Sequence, residues 1–317
     1  MLKRGGLFLV LFVVLALEVK AQFDAQFSQY WVAKNYFNPA VAGTGEEMNL
    51  AMQFRQQWVG VENAPVSFLF CGDLPAFFIG KRHGLGLVLS NETIGLYSNL
   101  VVGGQYSYSF PLFRGNLSIG AQLGVVSSKF DGTKVDIPSS GAHNPTDPNI
   151  PTTEESGMGF DLGVGIYYNH KRFHLGVSMA HMTQSTILLG ESVEIYVPSI
   201  IYLNAGYNHK FVNSLLEFRP SILFKSDKVV SQLDLHALFW YNDRFFAGLG
   251  YRLGDAVSIM VGGEFSNFRF GYSYDLSHSA IGRASGGSHE LFVGYRYKFD
   301  LDKSFLNQGR KRSVRFL

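Results

Sequence analysis

The sequence contains a single cysteine, Cys71, so it can hold neither an intrachain disulfide framework nor a CxxC metal or redox site. Charge is also scarce, at 16% of the 317 residues against about 25% in ordinary globular chains. The 27 basic and 25 acidic residues nearly cancel, and no basic stripe crosses the body, which argues against nucleic acid as a partner. After the first apolar stretch, no run approaches the roughly eighteen residues of a membrane helix. What abounds is glycine (35), phenylalanine (28) and tyrosine (16), and so much aromatic surface excludes a disordered chain. The length suggests about two soluble domains, but a single closed β-architecture also reaches it.

The N-terminus carries a targeting pattern. Lys3 and Arg4 form a positive region, and Leu7 to Leu17 is unbroken apolar sequence. Val19 and Ala21 then supply branched and small residues before a cleavage point at Gln22. The apolar run spans roughly 16 Å as a helix, too short for a bilayer core of about 30 Å. This predicts a signal peptide over residues 1–21 and export across the inner membrane of a Gram-negative cell. No cysteine lies near the cleavage point, so lipidation is excluded there. Removing Lys3, Arg4, Lys20 and Glu18 leaves 24 basic and 24 acidic residues, a neutral mature chain.

The remainder reads with a period of two. Phe268, Phe270, Tyr272 and Tyr274 share one face, and Arg269, Gly271, Ser273 and Asp275 the other. Leu117, Ile119, Ala121, Leu123 and Val125 likewise oppose Ser118, Gly120, Gln122 and Gly124. A soluble sandwich also alternates, but its outer face carries many Lys, Glu and Thr residues. Here the second face is Gly, Ser, Asn and Gln with scattered charges, and aromatics gather at strand ends. A lipid-facing belt around a polar lumen accounts for both features. Lipid tolerates no open sheet edge, so the fold expected is an all-β, transmembrane antiparallel β-barrel.

Candidate strands fall near 49–57, 67–73, 85–92, 97–110, 116–129, 157–169, 173–182, 200–210, 214–225, 229–241, 244–253, 256–265, 268–276 and 288–299. Their number, about 14, is even, as bacterial single-chain barrels require. With both termini periplasmic, turns after even strands should be short. Residues 170–172, 211–213, 242–243 and 266–267 fit, whereas 74–84 reads as a long exception. Long connections at 131–156, 183–199 and 277–287 then fall outside, with 254–255 a short exception. The chain accordingly divides into a signal peptide (1–21), a pre-barrel segment (22–47), a barrel (48–299) and a basic C-terminal tail (300–317).

The pre-barrel segment does not alternate, and Pro39 breaks any helix. Two placements fit it, a plug in the lumen or a segment in the periplasm. The tail carries Lys303, Arg310, Lys311, Arg312 and Arg315 with no acid after residue 302. It reads either as a frayed, solvated end or as a docking arm for an acidic partner.

Little in the chain points to catalysis. His170 and His174 have the i,i+4 spacing of a zinc pair, but they straddle a tight turn between strands. Gly163-Val-Gly165 and Gly248-Leu-Gly250 lack the strand-to-helix setting of a nucleotide loop, and Gly176-Val-Ser178-Met-Ala180 lacks the second glycine of a nucleophile elbow. The adjacent Ser288 and His289 form the remaining pair of note, placed at a strand entrance. The expectation is a non-enzymatic protein with no cofactor and no metal.

Several motifs carry a family resemblance across essentially the whole mature chain. Gln26-Phe-Ser-Gln-Tyr30 is followed by Asn38-Pro-Ala-Val-Ala-Gly43 and Phe54-Arg-Gln-Gln-Trp-Val-Gly60. Gly84-Leu-Gly-Leu87, Tyr202-Leu-Asn-Ala-Gly-Tyr207, Gln232-Leu-Asp-Leu-His236, Asp243–Arg252, Gly271-Tyr-Ser-Tyr-Asp275 and Gly287-Ser-His-Glu290 come in order after them. Together they resemble the PorP/SprF family, outer-membrane proteins of the type IX secretion and gliding systems of Bacteroidetes. The basic tail and the expanded 131–156 loop depart from the pattern. The tail leaves Phe299 or Leu317 as the terminal barrel-assembly signal.

The resemblance implies a non-enzymatic component that anchors periplasmic machinery to the outer membrane, or supports export and surface attachment of cargo proteins. The partners implied are periplasmic ring lipoproteins, a peptidoglycan-binding subunit, secreted surface proteins and membrane lipid. Candidate partner-binding residues are Gln26, Tyr30, Asn38, Pro39, Arg55, Trp58, Arg310, Lys311 and Arg312. An alternative reading rests on the Asn38-Pro-Ala40 pre-barrel segment, which is similar to the hatch of long-chain fatty-acid transporters. On that reading the barrel carries hydrophobic small molecules. A general porin would instead need an open, water-filled lumen.

Overall fold

The computed structural model describes residues 24–78, 80–135, 152–190 and 193–298. The predicted signal peptide, the basic tail and most of the 131–156 loop lie outside them. The strands are β1 (Glu47–Gln56), β2 (Val66–Phe78), β3 (Lys81–Ile94), β4 (Tyr97–Leu112), β5 (Gly115–Asp131), β6 (Glu154–His170) and β7 (Phe173–Ala180). After them come β8 (Thr186–Leu189), β9 (Val193–Tyr196), β10 (Ile200–Tyr207), β11 (His209–Lys210) and β12 (Leu216–Ser226). The last five are β13 (Ser231–Tyr241), β14 (Phe245–Arg252), β15 (Ala256–Phe265), β16 (Phe268–Ser277) and β17 (Ser288–Lys298).

Strands β1 to β7 and β11 to β17 each pair antiparallel with their sequence neighbours, and two further connections close the ring. The first links β1 to β17, with Glu47 opposite Lys298. The second links β10 to both β7 and β12 across the two short strands. With β11 continuing β10, and β8–β9 forming a separate hairpin, the result is a closed barrel of 14 strands. Every wall segment anticipated from the dyad pattern is a strand here.

Closure leaves one face of each strand to the bilayer. Leu123 and Leu291 are more than half exposed, and Phe54, Ile119, Leu175 and Ile259 point the same way. Alternate residues such as Gln53, Arg55, Ser118 and Ser273 are buried on the inside. Apolar side chains thus face lipid, as the strand alternation predicts, and the inner face is polar except at an apolar set that includes Leu69, Trp240, Phe246 and Phe292.

The two rims differ. One carries six turns, none longer than five residues, after β2, β4, β6, β11, β13 and β15. Asn242 and Asp243 turn one of them with φ of 53° and 51°, the left-handed pair that suits the twist of a hairpin. The segment 74–84 is not a long turn. β2 continues to Phe78 and β3 starts at Lys81, with Pro75 opposite Gly84. Pro75 lacks an N–H and reads as a strand end, but β1 pairs with β2 only as far as Asp73, so at Pro75 the strand is laddered on one side alone. The opposite rim carries the longer loops, including the β8–β9 hairpin and a four-residue helix, Ala280–Arg283.

Candidate functional site

The chain from Asp24 to Gly43 lies inside the ring of strands. Lys34–Phe37 is a four-residue helix, and Pro39–Val41 a single 3-10 turn. Pro39 separates them, since its ring fixes φ and its nitrogen cannot donate. Asn38 caps the turn by accepting from Ala40 N at 2.9 Å. Its amide then donates to the wall at Ile166 O (3.1 Å) and Val177 O (3.4 Å).

The wall makes room for this segment with glycine. A Cβ on Gly120 would sit 2.5 Å from Ala40 Cα, and one on Gly84 only 1.9 Å from Ala42 O. One on Gly165 would meet Asn38 Oδ1 at 2.1 Å. Neighbouring polar side chains satisfy the backbone so exposed. Ser107 donates to Ala42 O at 2.6 Å, Gln105 to Asn35 O at 2.8 Å, and Ser178 to Phe37 O. At the exit towards β1, Arg82 donates to Thr44 O at 2.8 Å.

Two ionic clusters fix the segment's start. Arg55 of β1 donates to Asp275 of β16 (2.8 Å) and to Glu290 of β17 (3.3 Å). Arg252 of β14 reaches Asp234 of β13 (2.8 Å) and the same Asp275 (3.3 Å). Both arginines also donate to Ser28 Oγ, which donates to Asp275. Glu290 accepts from the backbone nitrogens of Ser28 (2.6 Å) and Gln29 (2.8 Å). Two buried cations and three buried acids thus converge on one turn of the plug, where unpaired charge would be costly.

The second cluster is built on His181, just beyond β7. Its Nδ1 faces Asp161 at 2.8 Å and its Nε2 faces Asp24 at 2.9 Å. Burial alone would push this imidazolium down, but Asp24 and Asp161 outweigh it and hold its pKa up at about 10. Burial likewise works to raise the Asp24 carboxyl, but His181 and the Tyr202 hydroxyl bring it below the usual range. His181, Asp161 and Tyr202 place Asp24 in the half of the lumen nearer the longer loops.

Aromatic packing fills the rest. Trp31 stands edge-on to Trp240, Phe246 and Phe292 at centroid distances of 5.9, 5.1 and 5.5 Å. Tyr30 stacks on His236 at 4.2 Å, and its hydroxyl pairs with Ser221 at 3.0 Å. The β8–β9 hairpin adds Ile187 and Leu189, buried against Val101 and Val126 on the inner wall.

Among the candidate partner-binding residues, Tyr30, Asn38, Pro39 and Arg55 are buried in these contacts, and Gln26 is half-buried beside them. Trp58 lies at the rim of longer loops, where its backbone N–H donates to Ser288 Oγ at 3.1 Å. Arg310, Lys311 and Arg312 fall outside the described residues. Ser288 is buried on the inner face, whereas its neighbour His289 pairs with Tyr272 on the outer one, so the two do not form a dyad. Asp24, Asp161, His181, Asp234 and Arg252 were not singled out as site residues from the sequence. For Asp161, Asp234 and Arg252 the signal is a charge on an otherwise small and polar strand face, whereas Asp24 and His181 lie off the strands and carry none.

Among solved structures, the fold is similar to the Pseudomonas putida toluene transporter TodX, at 13% identity and a TM-score of 0.49, over 87% of this chain and 95% of that one. It is also similar to the Acinetobacter baumannii outer membrane protein Omp33, at 8% identity and a TM-score of 0.43, over 80% of this chain and 100% of that one. A mutant porin of Rh. blastica aligns at 12% identity and a TM-score of 0.33, over 79% and 99%. No curated protein matches the sequence. A family model described as type IX secretion system membrane protein PorP/SprF matches residues 19–295, the plug and all but the end of the last strand, and the chain belongs to that family.

Proposed function

We propose that the protein is a non-enzymatic outer-membrane component of the type IX secretion system, which anchors periplasmic machinery or supports export and surface attachment of cargo. The observation that supports this most directly is the family match over residues 19–295. The filled lumen agrees with it. A barrel occupied by its own residues 24–43 suits an anchoring or docking role better than diffusion of solutes.

In this reading the six-turn rim faces the periplasm and the longer loops face outward. Partners are other secretion subunits, with periplasmic ring lipoproteins, a peptidoglycan-binding subunit and secreted surface proteins the candidates. The basic residues Arg310, Lys311 and Arg312 would then follow β17 on the periplasmic side, able to meet an acidic partner. The likeness to TodX is one of fold and carries no transport argument. Affinity purification of the tagged chain from native outer membranes, followed by mass spectrometry, tests the proposal. Co-purifying secretion subunits or a large surface protein are expected. A solitary barrel carrying fatty acid would overturn the proposal in favour of a transporter.

A further inference from the structure

Between the plug and the six-turn rim a cavity of about 190 Å³ remains. It has room for about six waters, or for one group the size of a large side chain. Trp31 and Phe37 of the plug and Trp240 of β13 give it an apolar wall. Four cations line it, Lys34, Arg219, Arg269 and Arg296, against one acid, Glu264.

Two of these cations are already engaged. Arg296 pairs with Glu264, with Glu47 at 3.7 Å beyond. Arg219 holds Glu217 at 2.7 Å and Asp243 at 3.1 Å, and lies 4.5 Å from the centroid of the Trp240 ring. Lys34 and Arg269 have no side-chain hydrogen bond or ion pair with any described residue. Glu264 is the cross-strand neighbour of Arg269, but its carboxylate is turned to Arg296. On the other side Arg269 faces Gly294, which brings no acceptor side chain.

Unpartnered buried donors mark the same cavity. Arg269 Nε, Arg219 Nε, Trp31 Nε1 and Trp240 Nε1 are all buried without an acceptor. Among the described residues the one orphan acceptor there is Asn204 Oδ1, on an amide that exchanges acceptor for donor by a flip. Native interiors rarely leave so many buried donors together without a partner. Water would satisfy individual N–H groups but not the excess of positive charge. The cavity lies on the lumen side of the wall, so its occupant arrives through water rather than from the bilayer.

We propose that this cavity binds a small oxyanion, a carboxylate or phosphate carried on an aromatic or branched apolar group. Lys34 and Arg269 are its charge partners, and the indoles of Trp31 and Trp240 supply further donors and the packing face. The site is independent of the secretion reading, because it rests on the lumen lining alone.

Calorimetric titration of the full chain in an uncharged detergent tests it, with phenylacetate, phenyl phosphate and uncharged phenylacetamide as probes. At least one anion should bind, and the amide should bind tenfold or more weakly. The tighter anion identifies the source as a carboxylate or a phosphate. Lys34→Met and Arg269→Gln should each weaken the anion by about tenfold or more, as loss of a charge-assisted hydrogen bond does. Arg114→Gln, at an exposed turn residue, should leave it unchanged. Heat-modifiable electrophoretic migration shows which variants are folded. If one lumen variant fails to fold, the other, together with the amide comparison, decides. Equal binding of phenylacetamide, unchanged affinity in the folded lumen variants, or no binding of any probe at millimolar concentration would overturn the proposal.

Discussion

At the scale of single residues, the lumen is held by charges that sequence distance conceals. Ser28 meets Glu290 across 262 positions, so no local spacing announces the contact. Arg55 is the pivot, because Glu290 pairs with no other described cation and Asp275 would keep only Arg252, at 3.3 Å, without it. Arg55→Met should lower stability by about 3–5 kcal/mol, since Glu290 would be left without a cation inside the barrel and Asp275 with only the longer contact to Arg252. Adding Glu290→Gln should recover part of the loss by removing one of those charges. Denaturant unfolding of the single and double variants in detergent measures both effects. His181 gives a pH signature of the opposite kind. Its folded pKa of about 10 lies above the ordinary value of 6.5. The stabilisation is therefore full below about 6.5 and is lost as pH rises towards and through 10. The melting temperature of the native chain should fall over that window, and the fall should be smaller in His181→Gln.

At the scale of elements, the strands were legible and the plug was not, for one physical reason. A barrel strand has two environments two residues apart, so Leu117 to Val125 announces itself in the sequence. The plug is enclosed on every side, by polar and apolar wall residues alike, and its partners come from nearly every strand. Its residues consequently show no period, and sequence reasoning left its place open between lumen and periplasm. The same logic explains the segment 74–84, where Pro75 and the glycines around it read as a turn. Gly84 and Gly86 do not bend the chain there. They keep the wall thin where Ala42 passes. This makes wall glycines the sensitive positions of the element. Gly120→Ala should cost about 1–3 kcal/mol by overpacking, because its methyl would press on Ala40 backbone atoms that cannot turn aside. Gly104, also on the wall, has only Leu123 O within 4 Å of an added Cβ, so Gly104→Ala should change little. Comparing the two melting temperatures separates plug contact from any general intolerance of the wall.

At the scale of the whole molecule, a ring of 14 strands encloses enough space for a channel, and here that space is taken up twice. The segment Asp24–Gly43 crosses the middle, and the β8–β9 hairpin packs inside the rim of longer loops. Gly157 and Gly159 admit the hairpin just as Gly84 and Gly120 admit the plug, since a Cβ at Gly157 would lie 2.2 Å from Leu188 O. The two obstructions are separate in the chain and hence separable by experiment. Replacing residues 185–197 with a Gly/Ser linker should leave the barrel without a steady conductance in planar bilayers, because the plug still fills the lumen. Deleting residues 24–43 should open it, provided the strands still close, which heat-modifiable migration reports. A steady large conductance from the intact protein would contradict the plugged barrel outright. Silence from a folded plug-deleted barrel would show instead that the hairpin alone seals the lumen, which would make the loop rim, rather than the plug, the gate that any passing segment has to displace.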